Sequence, residues 1–177
     1  SLRGGYLAPG FIDLHIWGDP ETVSREEVKR GTTGFLATIG PDSREQLVGR
    51  LGGLPSVRRL EGAQCLGAHL EGPFVNRSRR GALPRRWIRS PTARELEALR
   101  RAAGKRLKLM TMAPELPGAI EAIRWWTKQR VTTSLGHSEA SREIGLRAVA
   151  AGARAITHVF NGMPRFDHRR PSLVDVA

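Results

Sequence analysis

The chain alternates from one end to the other between short apolar runs and amphipathic stretches that open at capping residues, a rhythm that restricts it to a parallel βα architecture. Runs at 11–16, 34–39, 65–70, 107–112, 131–135 and 155–160 are mostly apolar throughout, as strands covered on both faces must be. Between them, Ser24-Arg25-Glu26-Glu27, Ser43-Arg44-Glu45-Gln46 and Thr92-Ala93-Arg94-Glu95 each set a hydroxyl three residues ahead of a Glu or Gln. That spacing lets side chain and backbone satisfy each other's free groups at a helix start. The first predicts a short helix ended by Gly31. A fourth helix over 117–129 carries Ile120, Ile123 and Trp126 at helical spacing, which predicts core contact for Trp126 against the sheet. A fifth over 138–151 stops at Gly152, where a left-handed residue costs little.

Such alternation admits an open doubly wound sheet or a closed eight-stranded barrel, and the polar residues separate the two. His15, Glu71, Glu115, His137, His158 and Asn161 all fall at the C-terminal ends of predicted strands. A barrel gathers those ends on one rim, whereas a doubly wound sheet binds at one switch point and usually shows a glycine-rich turn after its first strand. No such turn follows Ile16. The expected fold is therefore α/β, a partial TIM-like (β/α)8 barrel with about six of eight βα units present, forming one domain over 1–177.

Composition narrows the function classes. The net charge of +12 invites a nucleic-acid reading, but the basic residues are almost all arginines scattered along the whole chain. Only Arg77, Arg79, Arg80, Arg85, Arg86 and Arg89 form a dense group, which suits a local phosphate or carboxylate ligand better than a polynucleotide. No apolar run is long enough to span a bilayer, and no leader-like segment opens the chain. We expect no nucleic-acid or membrane partner and a cytoplasmic location. The single cysteine, Cys65, cannot form an internal disulfide framework and is expected in the core.

The strongest chemical constellation is Glu71 in His69-Leu70-Glu71-Gly72-Pro73, His137 in Gly136-His137-Ser138, and His158 in Thr157-His158-Val159-Phe160-Asn161-Gly162-Met163. Two imidazoles and a carboxylate with one position left for water make a recurrent catalytic divalent-metal site. The donors suit zinc and would accept iron, cobalt or manganese. His69, two residues before Glu71, faces the same way on a strand. It is either a partner that orients the carboxylate or a hydrogen-bonded core histidine. His168, in an arginine-rich loop, reads as solvated.

These motifs carry a resemblance. Ala8-Pro9-Gly10-Phe11-Ile12-Asp13-Leu14-His15-Ile16-Trp17-Gly18 looks like the first barrel strand of the amidohydrolase superfamily, and Gly31-Thr32-Thr33-Gly34 opens what looks like the second. The segments His69 to Pro73, Ala113-Pro114-Glu115, Gly136-His137-Ser138 and Thr157 to Met163 then follow in the order and approximate spacing of N-acetylglucosamine-6-phosphate deacetylases. The resemblance implies a divalent metal held by Glu71, His137 and His158 that activates water for attack on the acetamide of N-acetylglucosamine 6-phosphate. It also implies substrate contacts at Ala82, Leu83, Asn161 and Gly162, and a homodimer at full length in which Arg169 reaches phosphate across the interface.

The same resemblance exposes departures. Relatives carry a small β-sandwich before the barrel and, after it, a seventh and an eighth strand, the last bearing the general-base aspartate. That aspartate is expected beyond Ala177, since Asp175 follows His158 too closely and reads as a solvated or helix-start residue. Leu83 stands where relatives commonly place a substrate-contacting histidine. Trp17 replaces the second histidine of a His-x-His pair, which argues against a second metal site. Two further readings therefore stand beside the deacetylase: a related hydrolase of another N-acyl substrate, and a truncated barrel without activity.

Overall fold

A computed structural model of the chain describes residues 4–54 and 60–177. Six strands, β1 (Phe11–Ile16), β2 (Thr32–Ile39), β3 (Gln64–Glu71), β4 (Leu107–Met112), β5 (Thr132–Leu135) and β6 (Ala155–Ile156), pair in parallel in chain order. The sheet curls into a half-barrel, the partial TIM-like α/β barrel that the alternation predicts. Consecutive strands lying side by side bring every C-terminal strand end to one rim.

Among the described residues five α-helices join the strands: α1 (Pro20–Glu27), α2 (Arg44–Gly52), α3 (Ala93–Ala103), α4 (Ala119–Lys128) and α5 (Arg142–Ala151). None among the described residues is long and apolar enough to cross a membrane. Ser43 and Thr92 cap α2 and α3 as their spacing predicts, accepting from the backbone N–H of Gln46 and Glu95. The first helix starts earlier than the Ser24 motif suggests. Asp19 caps it by accepting from Thr22 N–H, and Pro20 occupies the first turn, where its missing N–H costs nothing. Ser24 lies inside α1, and its hydroxyl accepts from the backbone of Gly62. Likewise α5 begins at Arg142, capped by Ser141, because the hydroxyl of Ser138 is already engaged elsewhere, with Glu115 and the N–H of Ala140.

The sixth strand is the largest departure from expectation. Only Ala155 and Ile156 pair with β5, because His158 and Phe160 take positive φ angles of 33° and 76° and turn the chain out of the sheet. Alternating hydrophobicity cannot reveal such a turn when the residues in it are apolar or aromatic.

One hydrophobic core fills the space between sheet and helices. Leu47 and Leu51 of α2, Leu96 and Leu99 of α3, and Ile123 and Trp126 of α4 meet Leu70, Met110, Met112 and Leu135 of the strands. Trp126 is fully buried, as its helical spacing predicts. Removing a side chain of that size from such a core typically costs about 3–5 kcal/mol. Cys65 is buried in a smaller cluster with Phe35 and Ala37. At the sheet margin β1 has only β2 as neighbour among the described residues, and its Phe11 and Leu14 are 72% and 53% exposed.

Glycine is required where β3 closely approaches the start of β4. Gly67, in β3, has φ of 148°, and a Cβ there would meet the carbonyl oxygen of Arg106 at 2.2 Å. That carbonyl accepts from Ala68 N–H next to the register shift between β3 and β4. We expect Gly67→Ala to destabilise the chain by roughly 1–3 kcal/mol in urea unfolding. Gly49→Ala, on an exposed face of α2 with open space around it, should instead stabilise by roughly 0.4–1 kcal/mol. Equal effects at the two positions would contradict the packing described for β3.

Candidate metal centre

Strand geometry delivers the three residues of the sequence motif to one point. Glu71 is the last residue of β3, whereas His137 and His158 stand two residues beyond the ends of β5 and β6. Glu71 Oε1 lies 3.0 Å from His137 Nε2 and 3.1 Å from His158 Nε2, and the two nitrogens are 3.1 Å apart. Glu71 and His137 are buried, and His158 is partly exposed, which leaves the cluster open on the rim side.

The other ring nitrogens settle what those atoms can do. His137 Nδ1 lies 2.8 Å from the carbonyl oxygen of Arg79, and His158 Nδ1 lies 3.0 Å from that of Asn161. A carbonyl can only accept, so each Nδ1 carries hydrogen, and in the neutral imidazole Nε2 then presents a lone pair. In that form two nitrogen lone pairs and a carboxylate oxygen converge with no donor among them. Separations of 3.0–3.1 Å allow all three to lie about 2.0–2.1 Å from one common point, as ligands of a shared metal do. The donor set therefore fits a divalent cation.

The electrostatics point the same way. Burial opposes the charge of Glu71, but without a cation a proton takes the cation's place: hydrogen bonds from protonated His137, from His15 and from protonated His158 outweigh burial and hold the carboxyl far below the usual carboxylate range. The Glu71 contact raises the pKa of His158 against the effect of its burial. The cluster keeps its negative charge and favours a positive one beside it.

His15 plays a larger part than its isolation in the sequence suggests. From β1 its Nε2 lies 3.0 Å from Glu71 Oε2, the oxygen turned away from the other two histidines. It thereby fixes the rotation of the carboxylate, the role the sequence left open for His69. His69 instead places its Nε2 2.7 Å from Thr111 Oγ1. Burial and then the neighbouring His15 push its pKa down to about 4, so it stays neutral at ordinary pH. Thr111 continues to Thr157 at 2.7 Å and Thr157 to Ser134 at 2.6 Å. A buried layer of hydroxyls thus lies beneath the cluster, from β4 across β5 to the residue just past β6. The inward alternation of these residues along their strands was the available signal.

Glu115, Asn161 and the other rim residues are distributed around this centre. Glu115 accepts hydrogen bonds from the loops after β3 and β5 and does not join the three donors. Asn161 and Gly162 sit in the turn beside His158, the former exposed. Ala82 is exposed, whereas the Leu83 side chain is buried with Val75 and Ile88. Arg169 and His168 are exposed in the loop before the C-terminal turn. Asp13 accepts from His15 N–H, and Asp175 caps the 3-10 turn at Leu173–Val176 by accepting from Ser172 N–H.

The arginine group between residues 77 and 89 is largely consumed internally. Arg77 donates to Ile88 O, Arg80 to Gly81 O and Leu83 O, Arg79 pairs with Glu139, and Arg89 pairs with Glu95 and donates to Asp42 O. These guanidinium groups pin the loop after β3 in place, which leaves less of the group for an external anion than its density suggests.

No family model matches the chain. It is 35% identical over 185 residues to the N-acetylglucosamine-6-phosphate deacetylase of Lysinibacillus sphaericus and 36% identical over 198 residues to that of Caenorhabditis elegans. These alignments cover 97% and 98% of this chain but 48% and 47% of the relatives. The crystal structure of N-acetyl-D-glucosamine-6-phosphate deacetylase from Mycobacterium smegmatis superposes with a TM-score of 0.85 at 29% identity, covering 95% of this chain and 47% of that one. An aspartate-to-alanine mutant of that enzyme, in complex with N-acetyl-D-glucosamine-6-phosphate, superposes with a TM-score of 0.82 at 30% identity. The chain spans about half the length of the curated relatives it matches. In sequence and in fold, along almost its entire length, the chain is similar to about half of the length of the N-acetylglucosamine-6-phosphate deacetylases it matches.

Proposed function

We propose that this chain supplies the metal-binding half of an amide hydrolase that converts N-acetylglucosamine 6-phosphate to glucosamine 6-phosphate and acetate in the cytoplasm. The convergence of Glu71 Oε1, His137 Nε2 and His158 Nε2, all acceptors, carries the proposal. Glu71, His137 and His158 hold the cation, of which zinc is the best match to two imidazoles and one carboxylate. When bound, such a cation polarises an amide carbonyl and lowers the pKa of water. Arg79 O and Asn161 O keep both imidazoles in the ligating tautomer, and His15 keeps Glu71 turned toward them. Asn161 and Gly162, next to His158, and Ala82 and Leu83, in the loop after β3, border the sugar. Leu83, with its side chain buried, contributes backbone there. Arg169 meets the phosphate, for which a guanidinium fork is suited, and in the full-length homodimer it does so across the interface.

Proton transfer from water and to the leaving amine needs a free acid–base group, worth typically about 10²–10⁴-fold. Glu71 is committed to the cluster, and Asp13 and Asp175 are held by backbone N–H groups. We assign the base to an aspartate outside these 177 residues. A second reading, hydrolysis of another N-acyl sugar or an N-acyl amino acid, draws support from the buried Leu83 at a position where a polar contact would select the phosphosugar.

Three outcomes follow. Elemental analysis should find about one divalent metal per chain in the wild type, and far less in Glu71→Gln, His137→Asn and His158→Asn; undiminished metal in all three would sink the ligand assignment. The 177-residue chain with metal bound should release no acetate above buffer, and turnover comparable to that of the Mycobacterium smegmatis relative would overturn the placement of the base. A protein of the relatives' length that contains this segment should prefer the 6-phosphate to the unphosphorylated sugar, with Arg169→Ala eroding that preference. Equal rates on the two sugars would favour the second reading.

A further inference from the structure

His137 holds its Nε2 in place from a backbone conformation that its own chemistry disfavours. Its φ is 49°, a region that a residue with a Cβ enters only when its surroundings over-determine it. The flanking bonds provide that determination. Asn76 N–H donates to His137 O at 2.8 Å, and Ser138 N–H donates to Gly162 O at 3.0 Å. Beyond them, one carboxylate gathers the remaining donors. Glu115, three residues past the end of β4, accepts from Asn76 Nδ2 at 2.9 Å, Ser138 Oγ at 2.7 Å and Glu139 N–H at 2.6 Å.

Those donors belong to the two loops that fix His137. Asn76 is the residue whose N–H holds the His137 carbonyl, and Ser138 and Glu139 are the two residues that follow His137 in the chain. The loop containing Asn76 also supplies Arg79, whose carbonyl accepts from His137 Nδ1. Glu139 in turn accepts from Ser78 Oγ and pairs with Arg79 Nε. A charged acceptor taking three bonds gives each more strength than a neutral one would, and Glu115 stays outside the three-donor cluster. It touches His137 only through the backbone and loops around it.

We propose that Glu115 is a positioning residue for the metal site: its carboxylate clamps the loops after β3 and β5 together and so sets the direction of His137 Nε2. The inference rests on the reading of Glu71, His137 and His158 as metal ligands. Groups that orient metal-bound histidines typically change metal affinity by about 10–100-fold when removed, and Glu115 acts at one further remove.

The test is titration of the chain with Zn²⁺ against a competing chelator and with Co²⁺ followed by its visible absorption, after circular dichroism has shown each variant folded. Glu115→Ala should weaken Zn²⁺ binding about tenfold and alter the Co²⁺ spectrum. Glu115→Gln, which retains one acceptor oxygen, should recover most of both. Ser138→Ala removes a single clamp bond and should fall between; it serves in place of Glu115→Ala if that chain does not fold. Wild-type affinity and an unchanged Co²⁺ spectrum in the alanine variants would overturn the positioning role while leaving the metal site intact. Absence of metal binding by wild type, or binding unaffected by His137→Asn, would overturn the metal reading and the clamp with it.

Discussion

A carboxylate buried among imidazoles is the constraint around which this half-barrel is arranged. Burial alone would drive Glu71 neutral, so its charge persists only because nitrogen atoms from three other strand ends come to meet it. His15 arrives from β1, His137 from beyond β5 and His158 from beyond β6. Parallel strands in chain order are what make that meeting geometrically simple, since each contributes its C-terminal end to the same rim. Beneath the rim the interior is partly polar, with Thr111, Thr157 and Ser134 hydrogen-bonded to one another and to His69. Buried hydroxyls satisfied in this way rigidify the floor of the site instead of weakening it.

The loops above the rim are fastened by ionic side chains that look, in the sequence, like ligand-binding groups. Arg77, Arg79, Arg80 and Arg89 close on carbonyls and carboxylates of their own neighbourhood. The high net charge thus conceals a structural use of arginine, in which the planar fork ties irregular backbone that has no ladder of its own. A loop of this kind can carry the carbonyl of Arg79 to His137 with the accuracy usually found in regular elements.

Much of this was legible in the chain. The strands, the caps Ser43 and Thr92 and the buried Trp126 follow from periodicity and local spacing, because each depends on neighbours a few residues away. Glu71 and the histidines His137 and His158, 66 and 87 residues further on, stood out instead by their chemistry at the C-terminal ends of strands. Part of what was not legible depends on distant partners. The pairing of His15 with Glu71 joins β1 to β3, and nothing near His15 announces it. The start of α1 lies ahead of Ser24 because two capping signals compete within six residues, and Asp19 with Pro20 prevails. The sixth strand is shorter than its apolar run because hydrophobicity does not register a left-handed turn at His158 and Phe160. The clamp at Glu115 was visible only as a polar residue at a strand end.

The positive φ angles at His137 and His158, 49° and 33°, set folding against ligation. Either turn would be more relaxed with glycine, which enters that region without a steric penalty, but glycine carries no imidazole. At these two positions the chain gives up some stability to hold nitrogen atoms against Glu71.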